Sequence, residues 1–248
     1  MKRADELITD LGFAASRSKA RALIEEGKVF CNGKPVDKPS RKFDENTVKM
    51  EVDSDSMALR FVSRAGLKLE AYLEKFDIDL NGARILDAGA STGGFTDCAL
   101  SRGAALSFCV DVGTGQLHSK LLQDPRVKNF EKTDVRSLTP QFFDEVLFDF
   151  ICADLSFISL EKVLPTLWSL LKPLGCIVCL VKPQFETSPA IMHKNKGILR
   201  DSILREEALK KIESFALDNF PTAHFIGRIE SPIKGGDGNV EYLIGYRK

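Results

Sequence analysis

The chain of 248 residues has only three histidines, no net charge and no long apolar run. The histidines, His118, His193 and His224, fall away from the ends of the central predicted strands, so we expect no histidine base in an active site. A formal net charge of zero gives no overall reason to expect nucleic-acid binding. Because no apolar stretch approaches the roughly 20 residues of a membrane helix and no signal peptide opens the chain, we expect a cytoplasmic protein without a membrane span.

The cysteine pattern gives no basis for a metal centre. Most of the six cysteines lie within apolar runs, where a free thiol packs as a small hydrophobic side chain. The spacing Cys176-x-x-Cys179 raises the question of zinc or redox chemistry, but both residues stand in one apolar run that predicts a strand. Side chains three apart on a strand point to opposite faces, and no second pair follows at ligand spacing. We therefore predict core cysteines and no metal requirement.

Basic residues are concentrated at the start of the chain, where residues 1–42 hold ten Lys or Arg against six Asp or Glu. A helix is predicted within Ser16–Gly27, because serine is a good N-cap and glycine a good C-terminal stop. Asn32-Gly33 then predicts a tight hairpin between two short strands. One surface of this segment would contact phosphates, unless it is an ordinary solvated helix face; its cations are Arg17, Arg21, Lys28 and Lys34.

The same segment, from Ser16-Arg17-Ser18-Lys19-Ala20-Arg21 to Asn32-Gly33-Lys34, resembles the α-L RNA-binding domain of ribosomal proteins and pseudouridine synthases. The resemblance covers about residues 1–60 and implies a small α+β domain whose basic surface binds RNA. The charge balance then reverses, since residues 43–55 carry five acids and one lysine. We therefore expect a first domain at 1–60, a hinge near 55–63 and a second domain at 61–248.

In the second domain, apolar runs alternate with helical patterns. Strands are predicted at 84–88, 106–111, 127–130, 149–153, 176–181, 223–229 and 240–246, and intervening helices at 94–102, 116–123, 139–146, 160–171 and 202–218. This alternation predicts an α/β fold with a mostly parallel, doubly wound sheet. Seven strands that end in an antiparallel hairpin match the Rossmann-like methyltransferase sheet.

A glycine-rich turn follows the first of these strands, in Asp87-Ala88-Gly89-Ala90-Ser91-Thr92-Gly93-Gly94-Phe95. A dinucleotide site needs Gly-x-Gly-x-x-Gly, whose amides face a pyrophosphate, and Ser91 stands where the second glycine is required. Asp87 at the strand end would also repel a pyrophosphate. A carboxylate suits a ligand that carries an amine and a sulfonium, which indicates S-adenosylmethionine.

Three later strands also lead into an acid, namely Asp111, Asp134 and Asp154. In open α/β sheets the ligand lies outside the carboxyl ends of the strands. Asp111 would accept hydrogen bonds from both ribose hydroxyls, and Asp134 would receive the adenine amino group. Any one aspartate could be a helix N-cap, but four in register favour a cofactor site. The predicted cofactor-binding residues are Asp87, Gly89, Ala90, Ser91, Thr92, Gly93, Gly94, Phe95, Asp111, Asp134, Val135 and Asp154.

The strand ends also restrict the methyl acceptor. Amine methylation usually relies on an Asn/Asp-Pro-Pro-aromatic strand end, whereas Asp154-Leu155-Ser156-Phe157 has no proline. Carbon-five methylation needs a cysteine nucleophile, and Cys152 lies before the strand end without an exposed thiol. Lys182 remains as a base for a hydroxyl acceptor, with Asp154 to orient it and Lys68 as a neighbouring cation that favours the neutral amine. The alternatives are a snorkelling strand-end lysine for Lys182 and an exposed helix lysine for Lys68.

The whole chain resembles the FtsJ-like ribose methyltransferases and, among them, the hemolysin-named TlyA group of ribosomal RNA 2′-O-methyltransferases. The resemblance rests on Ser63–Leu69, Asp87–Thr96, Ala153–Ser159 and Lys182–Glu186. It implies methylation of cytidine ribose in small- and large-subunit ribosomal RNA, and a Lys-Asp-Lys-Glu tetrad at Lys68, Asp154, Lys182 and Glu241. The usual Arg-Gly-Gly of the hinge is Arg64-Ala65-Gly66 here, and Arg64 is expected to contact RNA.

Residues 187–200 lack periodicity and predict a loop that closes over the target nucleotide and contacts phosphates through Lys194, Lys196 and Arg200. Three other functions remain open from the sequence. A nicotinamide-dependent oxidoreductase conflicts with the broken glycine fingerprint, and a membrane-lytic hemolysin lacks an apolar span or a strongly amphipathic basic helix. A catalytically silent RNA-binding protein conflicts with the intact cofactor loop and tetrad.

Overall fold

The chain divides into two compact units, Met1–Arg64 and Ala65–Lys248. The computed structural model describes residues 1–14, 16–45, 47–53, 60–195, 197–235 and 238–248. Most of the predicted hinge near 55–63 lies outside this described part of the chain.

The first unit is a small α+β fold. Its helices are α1 (Ala4–Asp10) and α2 (Arg17–Glu25), and its strands are β1 (Lys2–Arg3), β2 (Val29–Cys31), β3 (Lys34–Pro35), β4 (Lys42–Phe43) and β5 (Met50–Val52). The strands form a three-stranded sheet in the order β3-β2-β5 and a separate pair, β1 with β4. Apolar side chains from both helices and from β2 share one buried core.

Local sequence signals in this unit act as predicted. The Ser16 side chain accepts a hydrogen bond from the Lys19 backbone amide at 3.3 Å and so caps α2. Gly27 ends the helix with φ of +70°, a conformation that costs glycine little. Asn32 and Gly33 both have positive φ, as a two-residue hairpin turn between β2 and β3 requires.

The second unit is built on a seven-stranded sheet. Its strands are β6 (Arg84–Ala88), β7 (Leu106–Val110), β8 (Val127–Phe130), β9 (Phe148–Ala153), β10 (Leu171–Val181), β11 (His224–Glu230) and β12 (Tyr242–Arg247). They lie in the order β11-β12-β10-β9-β6-β7-β8. Strands β6 to β10 run parallel, and β12 is antiparallel to both β10 and β11. The predicted Rossmann-like methyltransferase sheet with a final antiparallel hairpin is confirmed.

The helices of this unit agree with the predictions only in part. They are α3 (Ala65–Lys75), α4 (Gly94–Ser101), α5 (Ser119–Leu122), α6 (Leu164–Leu170), α7 (Pro183–Glu186), α8 (Pro189–Lys194) and α9 (Ser202–Asn219). The helix predicted at 139–146 is only a 3₁₀ turn, Pro140–Phe143, because Asp144 and Glu145 both take positive φ and stop it. The loop predicted at 187–200 contains α8, which the sequence pattern did not indicate.

The central parallel strands β6, β7 and β9 are almost entirely buried, which explains their continuous apolar runs. All six cysteines are buried and free, so the prediction that Cys176 and Cys179 belong to the core is confirmed. Among the described residues, no helix is long and apolar enough to cross a membrane. The same residues contain no cluster of three or more His, Cys, Asp or Glu that could hold a metal ion.

Candidate active site

The glycine-rich loop joins β6 to α4 at the carboxyl edge of the sheet. Gly89 has φ of +83°, and a Cβ at this position would collide with the carbonyl oxygen of Asp154. Gly93 has φ of +88°, and a Cβ there would collide with the side chain of Leu121. Both positions require glycine, because the conformation and the close approach each exclude a side chain. The loop therefore packs directly against the end of β9.

Asp87, at the end of β6, lies beneath the loop and is only 1% exposed. Its Oδ2 accepts hydrogen bonds from the Thr96 backbone amide at 3.0 Å and from Thr96 Oγ1 at 2.7 Å. Its Oδ1 is buried and has no hydrogen-bond partner among the described residues. Burial raises the pKa of Asp87 to about 6, although the bonds from Thr96 oppose the shift. Asp87 thus fixes the first turn of α4 through its two hydrogen bonds with Thr96.

Substitution of Asp87 with asparagine should flatten the pH dependence of stability. Because the folded-state pKa is raised above the unfolded value of about 3.9, the free energy of unfolding falls as pH rises through about 6. The shift of about two units corresponds to about 3 kcal/mol between pH 4 and pH 8. We expect urea denaturation to show this loss in the wild type and in Asp218→Asn, an exposed control on α9. An undiminished loss in Asp87→Asn would contradict the assignment.

A cavity of about 640 Å³ opens beside the loop, along the ends of β6, β7, β8 and β9. Six predicted cofactor residues line it, namely Gly89, Ser91, Asp111, Asp134, Val135 and Asp154. The other six do not line it and lie in the loop, at the strand end or at the start of α4: Asp87, Ala90, Thr92, Gly93, Gly94 and Phe95. The structure therefore separates the predicted residues that line the cavity from those that shape the loop.

Two carboxylates on the cavity wall are fixed in different ways. Asp111 accepts hydrogen bonds from the backbone amides of Ser91 at 2.8 Å and Gly113 at 2.7 Å, which orient its carboxylate. Asp134 is paired with the Arg136 guanidinium, whose Nη2 lies 2.5 Å from its Oδ2. Hydrogen bonds from Arg136 hold the pKa of Asp134 below its usual range. The sequence did not indicate that Arg136 already engages this carboxylate.

Lys182 and Asp154 form an ion pair at the rim of the cavity. Lys182 Nζ lies 2.7 Å from Asp154 Oδ1, and the two side chains are 11% and 20% exposed. The same ammonium donates to Ser156 Oγ at 2.8 Å and lies 6.0 Å from the centre of the Phe185 ring. An oriented, largely desolvated amine next to a carboxylate can accept a proton and hold the resulting charge.

Lys68 and Glu241 form a second ion pair, with Nζ and Oε2 2.5 Å apart. These side chains are 10% and 4% exposed, so both charges are almost fully removed from water. Tyr72, one turn after Lys68 on α3, packs so closely on Gly245 of β12 that a Cβ there would collide with its hydroxyl. The packing of α3 on β12 therefore places Lys68 next to Glu241.

The sheet register brings the four tetrad residues to one edge. Ala153 of β9 pairs with Cys179 of β10, and Val181 at the end of β10 pairs with Tyr242 at the start of β12. Asp154, Lys182 and Glu241 are the residues immediately beyond these strand ends. Because β12 is antiparallel, its first residues lie at the same edge as the last residues of β9 and β10. Lys68 joins them through its pair with Glu241.

The predicted RNA-binding cations of the first unit have unequal surroundings. Arg17 is paired with buried Asp5 and with Glu6, each at 3.2 Å, and Lys28 is 2.6 Å from Asp53. Hydrogen bonds from Arg3 and Arg17 lower the pKa of Asp5 to about 2. Arg21 and Lys34 are exposed. Arg64 lies 3.7 Å from Glu25.

The three cations predicted on the loop of the second unit are only partly described. Lys194 ends α8, and its side chain, like all of Lys196, lies outside the described part of the chain. Arg200 is exposed and lines a second, smaller cavity.

Phe157 is the most prominent residue that the sequence interpretation left without a role. It follows β9, lines the large cavity and is 90% exposed. Its φ of +63° is a conformation that a bulky side chain rarely adopts. The ring centre lies 5.1 Å from that of Phe185. The sequence signal for a role of Phe157 was its position three residues after Asp154, in a segment without helical or strand periodicity.

The large cavity suits S-adenosylmethionine in size and chemistry. Its volume is typical of sites that enclose a small cofactor. Carboxylates from Asp111, Asp134 and Asp154 line it together with the apolar side chains of Val112 and Leu155. S-adenosylmethionine requires acceptors for its hydroxyl and amino groups and apolar walls for its base. It also requires negative charge near its sulfonium.

Comparisons with known proteins agree with this geometry. The sequence model of the FtsJ-like methyltransferase family matches residues 61–248, and that of the S4 domain matches residues 2–49. The chain is 41% identical to the 16S/23S rRNA (cytidine-2'-O)-methyltransferase TlyA of Mycobacterium tuberculosis, over 99% of this chain and 89% of that protein. It is 40% identical to Hemolysin A of Brachyspira hyodysenteriae, over 97% and 98% of the two chains.

A solved structure of a hemolysin-named protein from Streptococcus thermophilus is 40% identical, with a TM-score of 0.77, and the match covers 100% of this chain and 88% of that one. The family sequence model covers more than half of the chain, and relatives with 40% and 41% sequence identity align with nearly all of it. The chain belongs to the FtsJ-like methyltransferase family.

Proposed function

We propose that this protein transfers a methyl group from S-adenosylmethionine to the 2′-hydroxyl of cytidine in ribosomal RNA of the small and large subunits. The observation that carries the proposal is the Lys182–Asp154 pair at the rim of the cavity, with the Lys68–Glu241 pair at the same sheet edge. The relatives named for cytidine 2'-O-methylation of 16S and 23S rRNA support the substrate class. Ribosomal RNA as substrate implies a cytoplasmic site of action.

The cavity residues bind and orient the cofactor. Asp111 has carboxylate lone pairs left for ribose hydroxyls after it accepts two backbone amides. We assign the adenine edge to the backbone of Val135 and the carboxylate of Asp134, and Val112 and Leu155 provide apolar walls. When bound, S-adenosylmethionine supplies an electrophilic methyl group on a sulfonium. Residues that close the cavity around it also exclude water as a competing acceptor.

Lys182 is the residue that we assign as the base. A ribose hydroxyl is a weak nucleophile until its proton is removed, and the proton moves from O2′ to the neutral amine of Lys182 as O2′ attacks. Asp154 then holds the resulting ammonium through the contact between Nζ and Oδ1. Ser156 Oγ is a second acceptor for the same ammonium and fixes the direction of its N–H bonds.

Lys68 and Glu241 position the acceptor. The Lys68 ammonium can donate a hydrogen bond to the ribose oxygen. Glu241 holds Lys68 in one orientation and compensates its buried charge. The two pairs therefore differ in purpose, one moving the proton and the other holding the hydroxyl.

We assign RNA capture to the first domain predicted from the sequence, residues 1–60, and methyl transfer to the second predicted domain, residues 61–248. Exposed Arg21 and Lys34 are free to contact phosphates directly, whereas Arg17 and Lys28 would exchange carboxylate partners for phosphate. We assign the same phosphate-contacting role to Arg64 at the end of the first unit and to three cations of the second unit, Lys194, Lys196 and Arg200. Ribosomal subunits are the expected partners.

The test is methyl transfer from labelled S-adenosylmethionine to unmodified small and large ribosomal subunits. Methylated riboses resist alkaline cleavage, so the product can be mapped to single nucleotides. Methylation of cytidine ribose in ribosomal RNA is the expected result. Methylation of a base instead, or no transfer to either subunit while the cofactor still binds, would overturn the proposal. Leakage of liposomes in place of methyl transfer would favour the activity suggested by the hemolysin names.

We expect Phe157 to stack on the base of the target nucleotide. An exposed aromatic ring at a strained backbone position, 5.1 Å from the Phe185 ring and on the cavity wall, is suited to hold a base out of its helix. Base–aromatic stacking contributes about 1–3 kcal/mol, so Phe157→Ala should raise KM for RNA about tenfold or more. Phe142→Ala, which removes another exposed ring outside the cavity lining, is the control. Equal KM values for the two variants would refute the stacking role.

A further inference from the structure

A second cavity of the catalytic unit has a strongly basic lining. Its volume is about 440 Å³, and the described residues that line it include Arg200, Arg205 and Lys234. The four remaining described lining residues, Ile198, Leu199, Gly238 and Val240, carry no charge. Three cations without a lining carboxylate in the described part of the chain form a local concentration of positive charge. Such a cavity attracts an anion rather than a cation or a neutral ligand.

Two loops form this cavity, and a buried asparagine holds them together. Asn239, which is 3% exposed, accepts a hydrogen bond from the Leu199 amide and donates one to the Gly197 carbonyl, both at 2.9 Å. The Gly235 amide donates to the Asn239 carbonyl at 2.9 Å, which closes the second loop. The distance between the loops that carry Arg200 and Lys234 is therefore set by bonds within the fold.

Arg205 is held in the wall of the cavity by hydrogen bonds to two backbone carbonyls. Its Nη1 donates to the carbonyl oxygens of Leu199 at 3.4 Å and Arg200 at 3.1 Å. Its Nε is buried and has no hydrogen-bond partner among the described residues. The bonds from Nη1 fix the Arg205 guanidinium in the cavity wall, where its positive charge favours an anion.

The cavity is next to the proposed catalytic edge. Val240, which lines it, directly precedes Glu241. Gly235 lies so close to the Glu241 carboxylate that a Cβ at Gly235 would collide with it. A ligand in the cavity therefore lies beside Val240, the residue next in sequence to Glu241, which pairs with Lys68. On RNA, the anion that lies close to a ribose 2′-hydroxyl is a backbone phosphodiester.

We propose that Arg200, Arg205 and Lys234 form a subsite for a phosphodiester of the RNA strand that carries the target ribose. The inference rests on the proposed function and specifies how the same active site recognises its substrate. Arg200 and Lys234 supply exposed cations that an RNA strand can reach, and Arg205 supplies a fixed guanidinium. The subsite grips the strand independently of its sequence, because only the phosphate is contacted.

The test combines methyl transfer with equilibrium binding to unmodified ribosomal subunits at several salt concentrations. The variant is Arg200→Gln/Lys234→Gln, which removes both exposed cations and leaves Asn239 and the loop bonds in place. We expect KM for the subunits and their Kd to rise about tenfold, since charge-assisted phosphate contacts have this magnitude. The salt dependence of binding should weaken by about one unit of slope, while kcat and cofactor affinity stay unchanged.

The matched control is Lys210→Gln on α9, an exposed cation outside the cavity lining. Thermal melting of both variants establishes that each is folded. Wild-type methylation together with a variant that binds subunits as tightly as Lys210→Gln would overturn the subsite but not the function. Absence of methyl transfer by the wild type would overturn the function, whereas tenfold weaker binding of the variant would still support an RNA phosphate site.

Discussion

Replacing Lys182 with alanine lowers kcat for ribose methylation by about a thousandfold, within the range that general-base catalysis contributes. The reason is that Lys182 Nζ, 2.7 Å from Asp154 Oδ1, is the proton acceptor that we assign at the cavity rim. The affinity for S-adenosylmethionine should change little, because Lys182 is not among the residues that line the cavity. Single-turnover methyl transfer and calorimetric titration of the cofactor measure the two effects separately.

The chain offers a matched control on the same strand. Lys172, near the start of β10, is paired with Asp149 at 2.6 Å, so Lys172→Ala also removes a lysine–aspartate pair from this strand. The Lys172 pair lies at the opposite end of the strand from Lys182 and should be irrelevant to catalysis. Equal activity of the two alanine variants would refute Lys182 as the base.

Breaking the Lys68–Glu241 pair should destabilise the catalytic unit more than any exposed substitution. Both side chains are at least 90% buried, so Lys68→Met leaves the Glu241 carboxylate without a partner in a low-dielectric environment. The expected loss is about 3–5 kcal/mol in the free energy of unfolding, measured by urea denaturation. Glu241→Met should cost a similar amount, because it leaves the ammonium of Lys68 unpaired.

The double variant Lys68→Met/Glu241→Met separates stability from activity. Replacing a buried ion pair with apolar side chains of similar size is often neutral for stability, so most of the lost free energy should return. Methyl transfer should not return, because no ammonium remains to hold the ribose hydroxyl. A double variant that recovers both stability and activity would mean that the pair is only structural. A double variant as unstable as each single one would mean that the two charges do not interact.

The arrival of four aspartates at one edge of the sheet was predictable because it depends on repeated local patterns. Asp87, Asp111, Asp134 and Asp154 each follow an apolar run, and parallel strands bring their carboxyl ends to one edge. Their different surroundings were not predictable. Asp87 lies beneath the loop, and Asp134 is occupied by Arg136, because these contacts depend on how the loops fold back after the strands.

Several secondary elements also depended on more than local pattern. The segment 139–146 has helical spacing, yet Pro140–Phe143 makes only a 3₁₀ turn. The rings of Phe142 and Phe143 pack with Phe130, and Phe143 also packs with Phe108 and Phe148, so tertiary contacts decided its conformation. α8 was missed for a related reason, since six residues are too few to show a helical period.

The sequence by itself determined the fold class, the glycine loop, the basic first unit and the position of Lys182 after an apolar strand. These features arise from periodicity, turn chemistry and charge, which act over a few residues. Only the tertiary structure decided that Lys68 meets Glu241 and that Arg200, Arg205 and Lys234 share one cavity. Glu241 precedes its strand instead of following it, and it reaches the catalytic edge only because β12 runs antiparallel to β10. Strand direction and the packing of α3 are properties of the whole sheet, so no local segment encodes them.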